Sequence, residues 1–134
     1  MRYLGIDYGN RKVGLAISDE AGSFAFPYRV IPNDSVAKLI EEIKNICAKE
    51  KIEKLIIGES LDLSGQANPI QKEILVFKVK LEQGVGLPIE MQSEFFTTQE
   101  ARRTIDEDGT DPATDARAAA LILKSYLEKN INSY

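Results

Sequence analysis

The opening stretch, Met1 to Ser18 (MRYLGIDYGNRKVGLAIS), constrains the fold more than any other part of the chain. Arg2 to Ile6 is an apolar-rich run that stops on Asp7, and Tyr8-Gly9-Asn10-Arg11 reads as a turn. Lys12 to Ser18 then carries Val13, Leu15 and Ile17 in alternation, which is the period of a strand. Gly-Asn between two such runs signals a hairpin. An acid therefore stands where a buried strand ends, beside a glycine that lets backbone or a ligand come close. Such a carboxylate can hold a hard cation, or it can simply open the turn, as Asp often does.

The rest of the chain continues this start. Ala25 to Ile31 is a third strand, with Pro27 favouring an edge position. Three such strands in succession make an antiparallel meander. Asn33-Asp34-Ser35 supplies helix caps, and Val36, Leu39, Ile40, Ile43, Ile46 and Cys47 recur at helical spacing to about Glu50. Lys54 to Gly58 is a short continuous apolar run, as in a strand covered on both faces. Leu61 to Asn68 is a polar loop. Pro69 opens a second helix, which Gly84 and Gly86 end near Gln83. Leu87 to Gln92 is a fifth strand. Thr97 or Thr98 caps a helix from Gln99 to about Glu107, Asp108 to Thr114 is a loop, and a last helix runs from Asp115 to Lys129 before a frayed tail.

The pattern βββαβαβαα has helical crossovers into strands four and five, and right-handed crossovers set those strands parallel beside strand one. The expected fold is α/β: a mixed five-stranded sheet flanked by helices, in one domain over residues 1–134. A length of 134 residues suits one domain, and 43% hydrophobic content is enough for one core.

Composition narrows the chemistry. There is no histidine, so a Ser-His-Asp triad, a His-Cys zinc site and an imidazole base are excluded. The single cysteine, Cys47, sits in a helical apolar pattern and reads as a buried free thiol. No apolar run is long enough to span a bilayer, and Met1 is followed by a strand rather than a leader, so a cytoplasmic protein is expected. A net charge of −4 argues mildly against a nucleic-acid binder, but it leaves room for an enzyme with a local basic rim.

Four acids fall where this topology gathers strand ends. Asp7 ends strand one, Glu59 follows strand four, Glu94 follows strand five, and Asp115 begins the last helix. Ligands of open α/β sheets collect at the carboxyl ends of strands. Carboxylates converging there need a cation, and oxygen donors favour Mg²⁺ or Mn²⁺. Such ions can activate water and stabilise the leaving oxygen of a phosphodiester. Each acid also has a plain role: Asp115 as a cap, Glu94 as a surface partner of Arg102 or Arg103, Glu59 as a loop acid. Arg11 and Lys12 can contact phosphate or be ordinary turn charges, and Thr97 and Thr98 can touch substrate or only cap.

GIDYGNRKVGLAISD (Gly5 to Asp19) resembles the opening signature of the YqgF/RuvX family, usually GIDYG-x-(K/R)-(K/R)-(I/V)-G-(L/V)-A-x-SD. LIIGESLDLSGQAN, GLPIEMQSEFFTTQEA and TDARAAALILKSYLE are similar to the family's later motifs, in the same order and over nearly the whole chain. The resemblance implies an RNase H-like fold and a nuclease, described both as a Holliday junction resolvase and as the enzyme that matures the 5′ end of pre-16S ribosomal RNA. Carried over by position, it implies Asp7, Glu94 and Asp115 as metal-binding catalytic acids. Glu59 stands where the family has leucine, although other RNase H-like nucleases place an acid near there. The family's Asp-Glu-Arg triplet reads Ser93-Glu94-Phe95, and the loop before Asp115 is short and acidic where the family's is basic. A nuclease acting on pre-rRNA or branched DNA, as a monomer or homodimer, is therefore expected. A weakened member that only binds nucleic acid or a protein partner is the alternative. GIDYG also resembles the first phosphate loop of actin and sugar kinases, but that fold needs two such domains.

Overall fold

The computed structural model describes residues 1–59, 69–93 and 112–131; side chains are described at 1–59, 70–93 and 116–129. The elements are β1 (Tyr3–Tyr8), β2 (Lys12–Ser18), β3 (Ala25–Pro32), α1 (Val36–Glu50), β4 (Lys54–Glu59), α2 (Pro69–Val85), β5 (Ile89–Ser93) and α3 (Pro112–Ile131). The strands form one sheet in the order β3-β2-β1-β4-β5. β1 pairs antiparallel with β2, and β2 with β3, while β4 lies parallel to β1 and β5 parallel to β4. The meander, the crossovers and the edge position of Pro27 are as the sequence pattern implies. The expected helix Gln99–Glu107 and loop Leu61–Asn68 lie outside the described residues.

Strand alternation divides the core in two. On one face Leu4, Ile6, Tyr8, Val13, Leu15, Leu55 and Ile57 pack under α1 and α2, against Leu39, Ile43, Ile74, Phe77 and Leu81. Cys47 belongs to this layer, and burial pushes its thiol up to about 11, so it is protonated and inert at neutral pH. On the other face Ala16 and Ile56 pack under α3, against Ala119, Ile122, Leu123, Tyr126 and Leu127. Ser35 caps α1, its hydroxyl accepting from the Lys38 N–H at 3.4 Å.

Two helix boundaries differ from the sequence reading. α2 runs through Gly84 to Val85. Gly84 is a packing residue, because a Cβ there would lie 2.5 Å from Cγ2 of Ile40 on α1. The stop is Gly86, at φ 75°, whose N–H donates to the Glu82 carbonyl at 3.1 Å. α3 begins at Pro112, three residues before Asp115. Proline suits the first helical position, since its N–H is not needed there and its φ is preset. Asp115 therefore lies in the first turn of α3 rather than at its cap.

Candidate metal and nucleic-acid site

α3 lies unusually close to the sheet because the strands beneath it carry glycine. A Cβ on Gly5 of β1 would stand 2.8 Å from Cβ of Leu123 and 3.0 Å from the carbonyl of Ala119. A Cβ on Gly58 of β4 would stand 2.5 Å from Cδ1 of Ile122. At Gly5 the neighbours are a Cβ and a backbone carbonyl that cannot give way, so this glycine is the condition for the approach, whereas at Gly58 the first atom met is the end of the flexible Ile122 side chain. Tyr3 meets Tyr126 edge-on, with ring centroids 5.8 Å apart. Beside it the Glu90 carboxylate holds Lys54 Nζ at 2.5 Å and accepts from the Tyr126 hydroxyl. This group fixes the far end of α3 to β4 and β5.

These contacts fix the direction of α3. Tyr3 meets residue 126, and Gly5 meets 123 and 119, so α3 runs antiparallel to β1. Two residues further along β1, about 6.7 Å on, stands Asp7 on the same face as Gly5. Four residues back along α3, about 6 Å, stands Asp115. The end of β1 and the first turn of α3 thus advance to a common level.

Asp7 is half-buried and pairs across the ladder with Gly14. Ile6 faces Ile57 in the parallel ladder, and one step further lie Asp7 and Gly58. Gly58 in turn pairs with Gln92 of β5, which is buried. Beside Asp7, then, the sheet presents a glycine and next a buried amide. Lys12 has the parity of Ala16, which faces α3, and so lies on Asp7's side of the sheet. Arg11 is exposed in the turn, where its carbonyl accepts from the Asn33 N–H at 2.8 Å.

Glu59 has a different placement. It shares the parity of Leu55 and Ile57, which face α1 and α2, and it pairs with Ser93 at the end of the parallel ladder. Ending a neighbouring strand does not bring it to Asp7's face, because alternation reverses at each residue. Glu94, Thr97, Thr98 and the side chain of Asp115 lie outside the described residues. Among the described residues, no three histidines, cysteines or acids cluster as metal ligands.

The close of the opening motif, Ser18-Asp19, is structural. The Ser18 hydroxyl accepts from the Tyr3 N–H at 2.8 Å and donates to the Asp19 carbonyl. Asp19 Oδ1 accepts from the N–H groups of Ser23, at 2.7 Å, and Phe24, at 3.0 Å. The Phe24 bond leads in holding the Asp19 carboxyl below the usual range. Two members of the signature therefore tie the turn after β2 to the start of β1.

A sheet of this topology, with helices on both faces, is that of the RNase H-like fold. Thermus thermophilus RuvC, solved in complex with Holliday junction substrate, superposes with a TM-score of 0.63 at 15% identity, covering 99% of this chain and 98% of that one. The fowlpox virus Holliday junction resolvase gives 0.57 at 13% identity, covering 96% and 99%. At such identities the likeness is one of fold. The family model described as "RuvX: Holliday junction resolvase" matches residues 1–129, and the chain belongs to that family of phosphodiester-hydrolysing nucleases. Among its curated relatives, a Clostridium kluyveri protein named "Putative pre-16S rRNA nuclease" is 34% identical, over 96% of this chain and 98% of its own. One of the same name from Maridesulfovibrio salexigens is 33% identical, over 96% and 99%.

Proposed function

We propose that this protein is a divalent-metal-dependent endonuclease in which Asp7, Glu94 and Asp115 hold Mg²⁺ or Mn²⁺, with the 5′ end of pre-16S rRNA as substrate. The observation that carries the reading is the glycine-permitted descent of α3 onto β1, which draws the turn bearing Asp115 to the level of Asp7. The donor set fits a hard cation. It consists of carboxylate oxygens, the chain has no histidine, and its one thiol is buried on α1, in the layer on the opposite face of the sheet. Glu94 directly follows Ser93, the last residue of β5. Glu59 is left out of the set because its parity is that of the opposite face.

The bound metal would polarise the scissile phosphate and lower the pKa of an attacking water. The protein's part is placement. Asp7 rests on a strand paired on both sides, and the backbone of Asp115 belongs to a helix pinned by packing, so the elements that carry the two residues are set before substrate arrives. Lys12, on Asp7's face, and Arg11, exposed in the turn, face the phosphates flanking the cut. Thr97 and Thr98, three and four residues after Glu94 in sequence, are assigned to substrate contact on the family resemblance. We read residues 1–129 as one domain extending over 1–134, acting in the cytoplasm as a monomer or homodimer. No helix among the described residues is long and apolar enough to cross a membrane. The family model's description also favours branched DNA as a second substrate.

The test is cleavage of precursor rRNA and of four-way DNA junctions in Mn²⁺, comparing wild type with Asp7→Asn. The substitution should lower cleavage on the order of 100-fold or more, the scale of the several kcal/mol a metal contributes. Metal-dependent cleavage that survives it would remove Asp7 from the site.

A further inference from the structure

On the other side of β1's carboxyl end lies a cavity of about 460 Å³ that the nuclease reading does not use. This is within the range of small-ligand sites. Its inner wall includes two tilted rings, Tyr8 and Phe77, with centroids 4.7 Å apart, both largely buried. Val36 and Val76 add apolar wall, and Val76 is 55% exposed. The rim is polar. Asn10 comes from the β1–β2 turn and Asn33 from the end of β3, and Asn33 Nδ2 donates to the Gly9 carbonyl at 2.8 Å. That bond fixes the amide and leaves its oxygen as an acceptor. Lys72 and Lys80, exposed on α2, line the mouth, together with Asp34 and Glu73.

We propose that this cavity takes one unstacked nucleobase of a single-stranded stretch of the nucleic-acid substrate, with its phosphate at Lys72 and Lys80. A base has apolar faces and a polar edge. The gradient from aromatic inner wall to amide and charged rim matches it with the base inward and the phosphate outward. Lining charges of both signs disfavour a bare anion deep in the cavity, while acids at the rim accept well from an exocyclic amine. The cavity also neighbours the proposed active site across the end of β1. Tyr8 follows Asp7 in sequence, so a strand passing over the β1–β2 turn would meet the acid on one face and the cavity on the other. The inference rests on the nucleic-acid reading of the preceding section, but not on catalysis.

The experiment measures binding of the full chain to a labelled single-stranded oligonucleotide, and to the same sequence as a duplex, by fluorescence anisotropy. Ca²⁺ replaces Mn²⁺ to prevent cleavage. Wild type is compared with Val76→Asp and Val76→Phe, changes at an exposed position that leave the core intact. Both should weaken single-strand binding roughly ten-fold, the scale of one base excluded from its cavity, and leave duplex binding unchanged. Titration with nucleoside monophosphates should shift the methyl resonances of Val36 and Val76 in wild type. Unchanged single-strand affinity in both variants, an equal loss on duplex, or silent methyls would overturn the proposal. Asp7→Asn separates the two readings. If it abolishes cleavage while the Val76 variants bind normally, the cavity assignment fails alone. If wild type cleaves nothing yet the Val76 variants lose single strands, the nuclease reading fails alone.

Discussion

The two faces of the sheet are built differently. Under α1 and α2 the contacts are between large aliphatic and aromatic side chains, and the layer is thick. Under α3 the strands present Gly5, Ala16 and Gly58, the helix answers with Ala119, and the layer is thin. The first face holds most of the buried volume and so most of the stability. The second gives up volume for proximity and brings a helix turn to the end of β1. If the proposed site is right, stability and chemistry fall largely on opposite sides of one sheet, which mutation can separate.

The largest effect on stability belongs to the thick face. Ile57→Ala removes a fully buried side chain there and should cost about 2–5 kcal/mol, read as a shift in urea midpoint. Cleavage per folded molecule should hardly change. Equal losses in both would mean that the faces are not separable.

Gly5→Ala tests the thin face. The added methyl meets the Leu123 side chain and the Ala119 carbonyl, and backbone cannot give way cheaply. The expected cost is about 1–3 kcal/mol. Unlike Ile57→Ala, it should also lower cleavage per folded molecule severalfold, because α3 must lift or slide. Full activity at reduced stability would show that the spacing of α3 is not what the site needs.

The smallest effect lies at the Lys54–Glu90–Tyr126 group. The bond from Lys54 is the main reason the Glu90 carboxyl titrates below its ordinary value, and the same bond raises Lys54. The Glu90 contribution is therefore present above its unfolded pKa and lost as pH falls through the lower folded value. That of Lys54 is present below its own unfolded pKa and lost as pH rises through the higher folded value. Glu90 is about half exposed, so the whole contribution is under about 1 kcal/mol. Glu90→Gln should flatten the acid limb of the stability–pH curve by that amount, measured by urea midpoints. A steeper acid limb would contradict the pairing.

The architecture was legible because it rests on local pattern. Alternation in Lys12 to Ser18, the unbroken run at Lys54 to Gly58, and helical spacing from Val36 each survive into the structure with nearly the expected bounds. Asp7 at a strand end was legible for the same reason. Gly84 was not. An interior glycine against Ile40 looks, in sequence, like the stop that Gly86 actually provides. The importance of Gly5 and Gly58 was equally hidden, since only the approach of a helix distant in sequence gives them a role. Glu59 could have been set apart by counting parity from Ile57, which strand-end position alone ignores.

The most direct test concerns the meeting of β1 and α3 at one ion. Mn²⁺ binding can be followed by the paramagnetic signal of the free ion, for wild type, Asp7→Asn and Asp115→Asn, with thermal melts confirming folding. Each substitution should weaken binding roughly ten-fold or more, since even groups behind metal ligands carry that much. Wild-type affinity in either variant would contradict the claim that this helix and this strand share a cation.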